Sequence, residues 1–118
     1  MIAYDNSLPG LVELTVSGSV TAQEVEDVCA RMERDIAASG SLKVLENVTG
    51  FTGIGPAALW TDLRKAWPLA RHVSHVAIVA DQAWIRAAAG FGGLFTGATI
   101  RSFEPAEIDE ARAWLQAA

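Results

Sequence analysis

The sequence predicts an α/β protein in which a mixed sheet of four or five strands carries about four packed helices. Helical and strand-like patterns alternate along the chain, and one apolar run has the composition of a strand covered on both faces. The 118 residues are enough for one hydrophobic core and too few for two. We therefore expect a single domain, residues 1–118, with an N-terminal hairpin followed by β-α-β units.

The opening elements are predicted to be two antiparallel strands. In residues 11–16, Leu-Val-Glu-Leu-Thr-Val, apolar side chains alternate with polar ones, which is the period of a strand with one buried face. Residues 2–5 are a candidate partner strand, and Pro9-Gly10 between them is a turn dipeptide. The two segments therefore predict a hairpin.

The helix with the clearest signals runs from Thr21 to about Ser39. Thr21 and Glu24 have the spacing of a capping box, and Gly40 is a natural C-terminal stop. Apolar side chains recur at helical spacing and predict a face that packs on a sheet: Val25, Val28, Cys29, Met32 and Ile36.

The rest of the chain predicts further strands joined by helices. The unbroken apolar run at 75–80 is expected to be the central strand, because it reads as covered on both faces. Strands separated by helix-length crossovers must pair in parallel through right-handed connections. The other predicted elements are strands at 42–48 and 98–103, and helices from Pro56 to about Trp67, after Asp81, and from Pro105 at its first turn.

Composition argues against several classes of function. The formal net charge is −5 with a pI near 4.9, and the Lys and Arg residues are scattered, so neither nucleic acid nor an anionic membrane surface is an expected partner. No apolar run approaches the roughly 18 residues that span a bilayer, and the N-terminus lacks the pattern of a secretory signal. We expect a cytoplasmic protein, and the lone Cys29 is consistent with a reducing compartment.

Three segments in this order carry a family resemblance. They are V-T-G-F-T-G-I-G-P-A-A-L at 48–59, H-V-A-I-V-A-D-Q-A-W at 75–84 and E-A-R-A-W-L at 110–115. Together with the order of elements, they resemble the SpoIIAA-like family, which is related to the STAS domains of anti-sigma-factor antagonists. The resemblance covers nearly the whole chain. It implies a bacterial protein with a STAS-like mixed sheet and a largely undefined biochemical role, and it supplies no active site.

The resemblance also implies where a phosphorylated residue would lie. Antagonists carry the pattern Ile-Asp-Ser-Ser-Gly-Leu at a strand-to-helix elbow, and laid on residues 54–59 it places Gly55 at the acidic position and Ala57 at the phospho-acceptor. Phosphorylation acts by adding about two negative charges at a helix start. Neither Pro56 nor Ala57 has a hydroxyl, and the nearby threonines at 49, 52 and 61 do not fall on that position. A switch controlled by phosphorylation there is disfavoured.

Signals for catalysis or metal binding are weak. His72 and His75 flank the start of a predicted strand but have no second pair of ligands in the sequence, so we predict no metal site. Cys29 belongs to the apolar stripe of its helix, where a thiol behaves as a small hydrophobe. The motifs of nucleophilic hydrolases and zinc proteases are absent from the sequence, and no cofactor is predicted.

Three carboxylates provide the alternative of an enzyme. Glu46, Asp81 and Glu104 lie near the carboxyl ends of three predicted strands, where open α/β sheets bind ligands, and could form an acidic cleft in which Glu46 or Asp81 supplies acid/base chemistry. The structural alternative is that Asp81 caps a helix and that Glu104 lies at the positive end of another. We favour the structural interpretation and expect a non-enzymatic domain.

Tryptophan spacing suggests a binding surface. Trp60 and Trp67 are seven residues apart on one predicted helix and so share a face, which indicates core filling, an apolar pocket or a dimer surface. The glycines of 90–97 close a predicted helix and indicate a turn or, alternatively, a mobile flap. We expect the module to bind a protein partner, a second copy or a lipid-like small molecule whose acidic head group Arg64 would meet. The candidate surface is Trp60, Leu63, Arg64, Trp67, Phe91, Leu94 and Phe95.

Overall fold

The fold was analysed in a computed structural model, which describes residues 1–54, 64, 68–81 and 98–118. The described residues form a five-stranded mixed sheet with helices packed against it. The strands, in sheet order, are β1 (Ile2–Leu8), β2 (Leu11–Val20), β3 (Leu42–Ile54), β4 (Val73–Val79) and β5 (Thr99–Phe103). Helix α1 is Ala22–Ser39, and a 3-10 turn, Pro105–Glu107, leads into helix α2, Ile108–Ala117.

Strand pairing confirms the predicted mixed sheet. β1 and β2 form an antiparallel hairpin, and Gly10 in its turn adopts a φ of 74° that glycine accepts without strain. β2, β3, β4 and β5 then pair in parallel, as predicted. The sheet therefore follows the order of the strands in the chain.

The apolar run at 75–80 is an interior strand, but it is not the middle one. β4 lies between β3 and β5, and β3 occupies the centre of the sheet, which corrects the prediction. The prediction that β4 is covered on both faces is confirmed. Val76 and Ile78 pack in the core on the α1 face, whereas Ala77 and Val79 pack in the core on the α2 face.

Helix α1 begins and ends as its sequence predicts. The Oγ1 of Thr21 accepts from the N–H of Glu24 at 3.2 Å, and the Glu24 carboxylate accepts in return from the N–H of Thr21. At the other end, Gly40 has a φ of 83° and donates its N–H to the carbonyl of Ile36. The buried part of the stripe consists of Val25, Cys29 and Met32.

Helix α2 covers the opposite face of the sheet. Pro105 opens the 3-10 turn rather than the α-helix itself, which begins three residues later at Ile108. Leu115 is fully buried against the sheet, and Lys43 of β3 donates from Nζ to the carbonyl of Ala118 at the end of the helix. None of the helices described here is both long and apolar enough to cross a bilayer.

β3 is longer than predicted, and two glycines explain the difference. The strand was expected to end at residue 48, because the glycines that follow are typical of a turn. Instead it continues to Ile54 and gains two residues over β2 between the pairs Val16↔Val48 and Val20↔Ile54. Gly50 and Gly18 have φ values of 57° and 60°, so the backbone accommodates these irregularities while the ladder continues.

Candidate functional site

Most of the predicted binding surface lies outside the described residues. Arg64 is described, and it is helical and exposed. The predicted helices after residue 55 and after Asp81 fall mainly outside the described ranges, as does the glycine segment 90–97. The same applies to Ala57 and to the other members of the surface, namely Trp60, Leu63, Trp67, Phe91, Leu94 and Phe95.

The described residues define the approach to the elbow. Ile54, the last residue of β3, pairs with Val20, the last residue of β2. Val20 is followed directly by Thr21, the N-cap of α1. The elbow therefore starts beside the first turn of α1. We call the residues that meet there the α1 corner: Ile2, Val20, Thr21, Glu24 and Ile54.

One carboxylate joins the elements of the α1 corner. Oε2 of Glu24 accepts from the N–H of Ile2 at 2.8 Å, and Oε1 accepts from the N–H and the hydroxyl of Thr21, both at 3.2 Å. The ammonium group of Met1 lies 3.4 Å from Oε2. Burial works to raise the pKa of Glu24, but these donors outweigh it and hold the pKa below its ordinary value. Glu24 is therefore ionised at neutral pH and connects β1 to the start of α1.

The three carboxylates proposed as an acidic cleft do not all lie at strand ends. Glu46 lies within β3, because that strand continues to Ile54, and it is level with Ile78 of β4. Asp81 follows Ile78 by three residues, roughly 10 Å along a strand. Asp81 lies two residues after the end of β4, and Glu104 directly follows β5, the neighbouring strand. The prediction for Glu46 is thus wrong in position.

Glu104 contributes to the turn that precedes α2. Its N–H donates to Oε1 of Glu107 at 2.9 Å, and its carbonyl accepts from the N–H of Glu107 at 2.8 Å. Both contacts use the backbone of Glu104, so the role predicted for its carboxylate at the start of a helix stays a prediction.

The histidines make contacts with neighbouring side chains. Nε2 of His72 accepts from Nε of Arg71 at 3.1 Å. His75 packs edge-on against Trp114 with ring centres 5.6 Å apart, and its Nδ1 lies 3.0 Å from Oγ of Ser74. In the described ranges, no three His, Cys, Asp or Glu side chains converge on a common metal position. Each histidine therefore has a hydrogen-bonding neighbour next to it in the chain.

A polar cluster between β1 and α1 was not predicted. The hydroxyl of Tyr4 donates to Asp35, and the amide of Asn6 donates to both oxygens of the same carboxylate at 3.1 and 3.2 Å. The guanidinium of Arg31 lies 4.6 Å from the centre of the Tyr4 ring. Burial first, then the hydrogen bond and charge of Asp35, raise the pKa of Tyr4 well above its ordinary value. We call these four residues the β1 latch.

The sequence contained a partial signal for the β1 latch. Tyr4 lies two residues after Ile2 on one face of β1, and Arg31 and Asp35 are four residues apart on α1, so each pair shares a side of its element. Nothing in the sequence indicated that these two sides meet.

A groove of about 720 Å³ lies at the opposite end of the sheet. Lys43 is the charged residue in its lining, and its ammonium group already binds the end of α2. The groove is lined by Leu8, Pro9, Gly10, Leu11, Ser39, Ser41, Lys43, Leu115 and Gln116.

Comparison with known proteins supports the fold assignment. The sequence model of the family described as SpoIIAA-like matches residues 11–116. An uncharacterized protein of the DUF3478 family from Shewanella loihica PV-4, described as having a SpoIIAA-like fold, is similar in structure with a TM-score of 0.74. The two are 22% identical, and the alignment covers 98% of this chain and 92% of that one.

Two structures of SpoIIAA are also similar. The unphosphorylated anti-sigma factor antagonist SpoIIAA has a TM-score of 0.61 at 15% identity, covering 95% of this chain and 98% of that chain. The Bacillus cell fate determinant SpoIIAA in its phosphorylated form has a TM-score of 0.57 at 14% identity, with 93% and 97% covered. No protein of curated function matches the sequence. At these identities the structures show a shared fold.

Proposed function

Since the chain belongs to the SpoIIAA-like family, we propose that it is a non-enzymatic regulatory module that binds a protein partner at the α1 corner and the elbow after it. The observation that carries the proposal is the pairing of Ile54 with Val20, which brings the start of the elbow beside the first turn of α1. One similar structure is that of an anti-sigma factor antagonist, and a partner protein is the corresponding ligand class for this chain.

Binding in this proposal is not switched by phosphorylation of the elbow. SpoIIAA has been solved in a phosphorylated form, so that relative accepts a phosphate. Here the matching position is Ala57, which follows Pro56, and neither side chain has an oxygen to modify. The module would therefore be constitutively competent to bind, and its regulation would depend on the amount or state of its partner.

The positions of the polar groups support a binding role over a catalytic one. Glu46 lies within a strand, away from the strand ends where Asp81 and Glu104 are found. Glu24 is held by three donors that keep its pKa low, whereas a general acid or base near neutral pH needs a raised carboxylate pKa. The catalytic alternative would be supported by a carboxylate of this chain that titrates near neutrality.

An apolar small molecule is the other occupant that the sequence suggests. It would bind the surface around Trp60 and Trp67, with exposed Arg64 meeting its head group. We favour the protein partner because the pairing of Ile54 with Val20 brings the start of the elbow beside the first turn of α1, where two elements can share one contact surface. The small molecule becomes an outcome of the test below.

The test is native mass spectrometry of the protein isolated from the cells that produce it. We expect a stoichiometric protein adduct with the wild type. Ala57→Asp places a negative charge on the elbow and should abolish the adduct, because it mimics the charge of a phosphate at the proposed contact. Ala113→Asp is the matched control, since it makes the same change on the exposed side of α2 and should leave the adduct intact.

Several outcomes would contradict the proposal. A lipid-sized adduct in place of a protein would favour the Trp60 and Trp67 surface. Equal loss of the partner in Ala57→Asp and Ala113→Asp would show that the partner does not bind at the elbow. A phosphate ester on Thr52 or Thr61 that governs association would contradict the absence of a phosphorylation switch.

A further inference from the structure

We propose that Glu24 blocks the outer edge of β1 against pairing with the same strand of a second copy of the chain. β1 is the first strand in the sheet order and pairs with β2 on one side. The outer side of such an edge strand presents backbone N–H and C=O groups that another strand can use as a template. Residue 24 would thus have a role in keeping copies apart in addition to its role in capping α1.

The backbone of Ile2 points its N–H to this outer edge. Ser17 donates its N–H to the carbonyl of Met1 at 2.8 Å, and Ile2 lies opposite Val16. In an antiparallel ladder this pattern makes Ile2↔Val16 a non-hydrogen-bonded pair, so the N–H and C=O of Ile2 face away from β2.

Glu24 occupies the position that an incoming strand would need. Its Oε2 lies 2.8 Å from the nitrogen of Ile2. The carbonyl oxygen of an added strand would have to sit about 2.9 Å from the same nitrogen. Both oxygens cannot fit there, and the ionised carboxylate also repels the carbonyl oxygen. Glu24 therefore opposes strand addition by occupying one hydrogen-bonding position, and not only by adding negative charge to the surface.

Towards its other end, β1 loses its regular pairing with β2 after Asp5. The register shifts between Asp5 and Leu8, and the N–H of Ser7 donates to Oδ1 of Asp5 at 2.8 Å. Between these ends, Tyr4 repeats the orientation of Ile2, so its N–H and C=O lie on the outer edge. An added strand would have to centre on Tyr4.

A second copy of β1 fits this geometry because the edge is self-complementary. Antiparallel pairing about a two-fold axis at Tyr4 would match Tyr4 with Tyr4 of the other copy and Ile2 with Asn6. Each interface of this kind contains the Ile2 N–H twice. By symmetry, Glu24, present once in each copy, therefore removes two hydrogen bonds from the dimer.

The main test is the self-association of Glu24→Ala, measured by sedimentation equilibrium. Each Ile2 N–H released by the substitution becomes available to the other copy, and two such bonds should strengthen association by roughly tenfold over wild type. Amide hydrogen exchange locates the interface. In Glu24→Ala we expect the protection of the Tyr4 amide to rise with protein concentration.

Two variants separate edge blocking from the capping of α1. Thr21→Ala removes the N-cap hydroxyl but leaves the contact between Glu24 and Ile2, so its association should equal that of wild type. Glu24→Gln keeps an amide oxygen that can accept from Ile2, so it should restore most of the wild-type behaviour. Equal association of Thr21→Ala and Glu24→Ala would overturn the proposal, as would unchanged association of Glu24→Ala.

Wild-type protein alone provides an independent check that does not depend on the folding of any variant. Its Ile2 amide should exchange slowly because Glu24 binds it, while its Tyr4 amide should exchange freely at all concentrations. Concentration-dependent protection of Tyr4 in the wild type would mean that the edge already pairs, and the proposal would be wrong.

Discussion

Both helices pack on the sheet through buried apolar side chains, but they differ in their polar contacts with it. Near β1, α1 is held by neutral and backbone donors that bind carboxylates, in the β1 latch and at Glu24. α2 is held by apolar and aromatic packing, with Trp114 6.0 Å from Phe103 between ring centres, and by an exposed ion pair of Arg112 with Glu13. The comparison teaches that charged side chains contribute differently to the attachment of the two helices. Hydrogen bonds to the half-buried Asp35 fix an orientation, whereas an exposed ion pair contributes little to stability.

The largest expected effect is on the α2 face, where the apolar contacts carry the attachment. Leu115→Ala leaves a cavity beneath α2, because Leu115 is fully buried. We expect the free energy of unfolding to fall by about 2–5 kcal/mol, measured by urea denaturation. Leu8→Ala is the control, since Leu8 is 49% exposed and should change little. A loss below about 1 kcal/mol for Leu115→Ala would show that α2 is attached in another way.

The next effect is on the β1 latch. Asp35→Ala leaves the Tyr4 hydroxyl and the Asn6 amide without their acceptor, and we expect a loss of about 1–2 kcal/mol. Tyr4→Phe removes one donor and should cost less than Asp35→Ala. Because the partners of Asp35 in these bonds are neutral, the loss should be nearly the same at low and high salt. A loss that disappears in high salt would contradict the contrast between the two faces.

The dependence of stability on pH tests the α1 corner. The pKa of Glu24 is lower in the folded protein than its ordinary value of 4.5, so its ionised form stabilises the fold above that pH. This stabilisation should be lost as pH falls through the folded-state pKa. The difference in unfolding free energy between wild type and Glu24→Gln should therefore be constant near neutrality and shrink below about pH 4.5.

A control is needed because Asp5 also has a lowered pKa, caused by hydrogen bonds from the Ser7 side chain and backbone. Asp5→Asn should change how the free energy of unfolding falls at acidic pH. It should leave the difference between Glu24 and Gln at position 24 intact. If the difference in unfolding free energy between wild type and Glu24→Gln grew on acidification, the pKa of Glu24 would not be lowered by folding.

The smallest effect is expected for the exposed ion pair. Nε of Arg112 lies 2.9 Å from Oε1 of Glu13, and its Nη1 lies 3.4 Å from Asp109. Arg112→Ala should cost less than about 1 kcal/mol, and added salt should reduce that cost further. If this variant lost more than Asp35→Ala, the assignment of weak electrostatics to the α2 face would be wrong.

The local sequence was sufficient to predict the elements whose signals are local. The capping box at Thr21, the stop at Gly40 and the alternation in β2 all depend on neighbouring residues, and each is found as predicted. β3 was predicted too short because glycines normally end a strand. Whether a ladder continues past Gly50 depends on the partner strand, which compensates with Gly18, and that information is not local.

The candidate site was harder to predict for a similar reason. Glu46 was assigned to a strand end because β3 was expected to stop early, so an error in one element displaced a residue of the proposed cleft. The β1 latch connects residues about thirty positions apart, and side-chain periodicity gives only the face of each element. The role of Ala57 came from the family resemblance, which supplies a position but no contacts.

The irregular end of the β2–β3 ladder has a consequence for how regulation could be gained. The path of the chain up to Ile54 is determined by strand pairing and by glycines at 18 and 50, none of which depends on the side chain at position 57. A hydroxyl introduced by Ala57→Ser would therefore require no rebuilding of the strand that leads to it. In evolutionary terms, the strand that leads to the elbow and the side chain that would carry a modification can change independently.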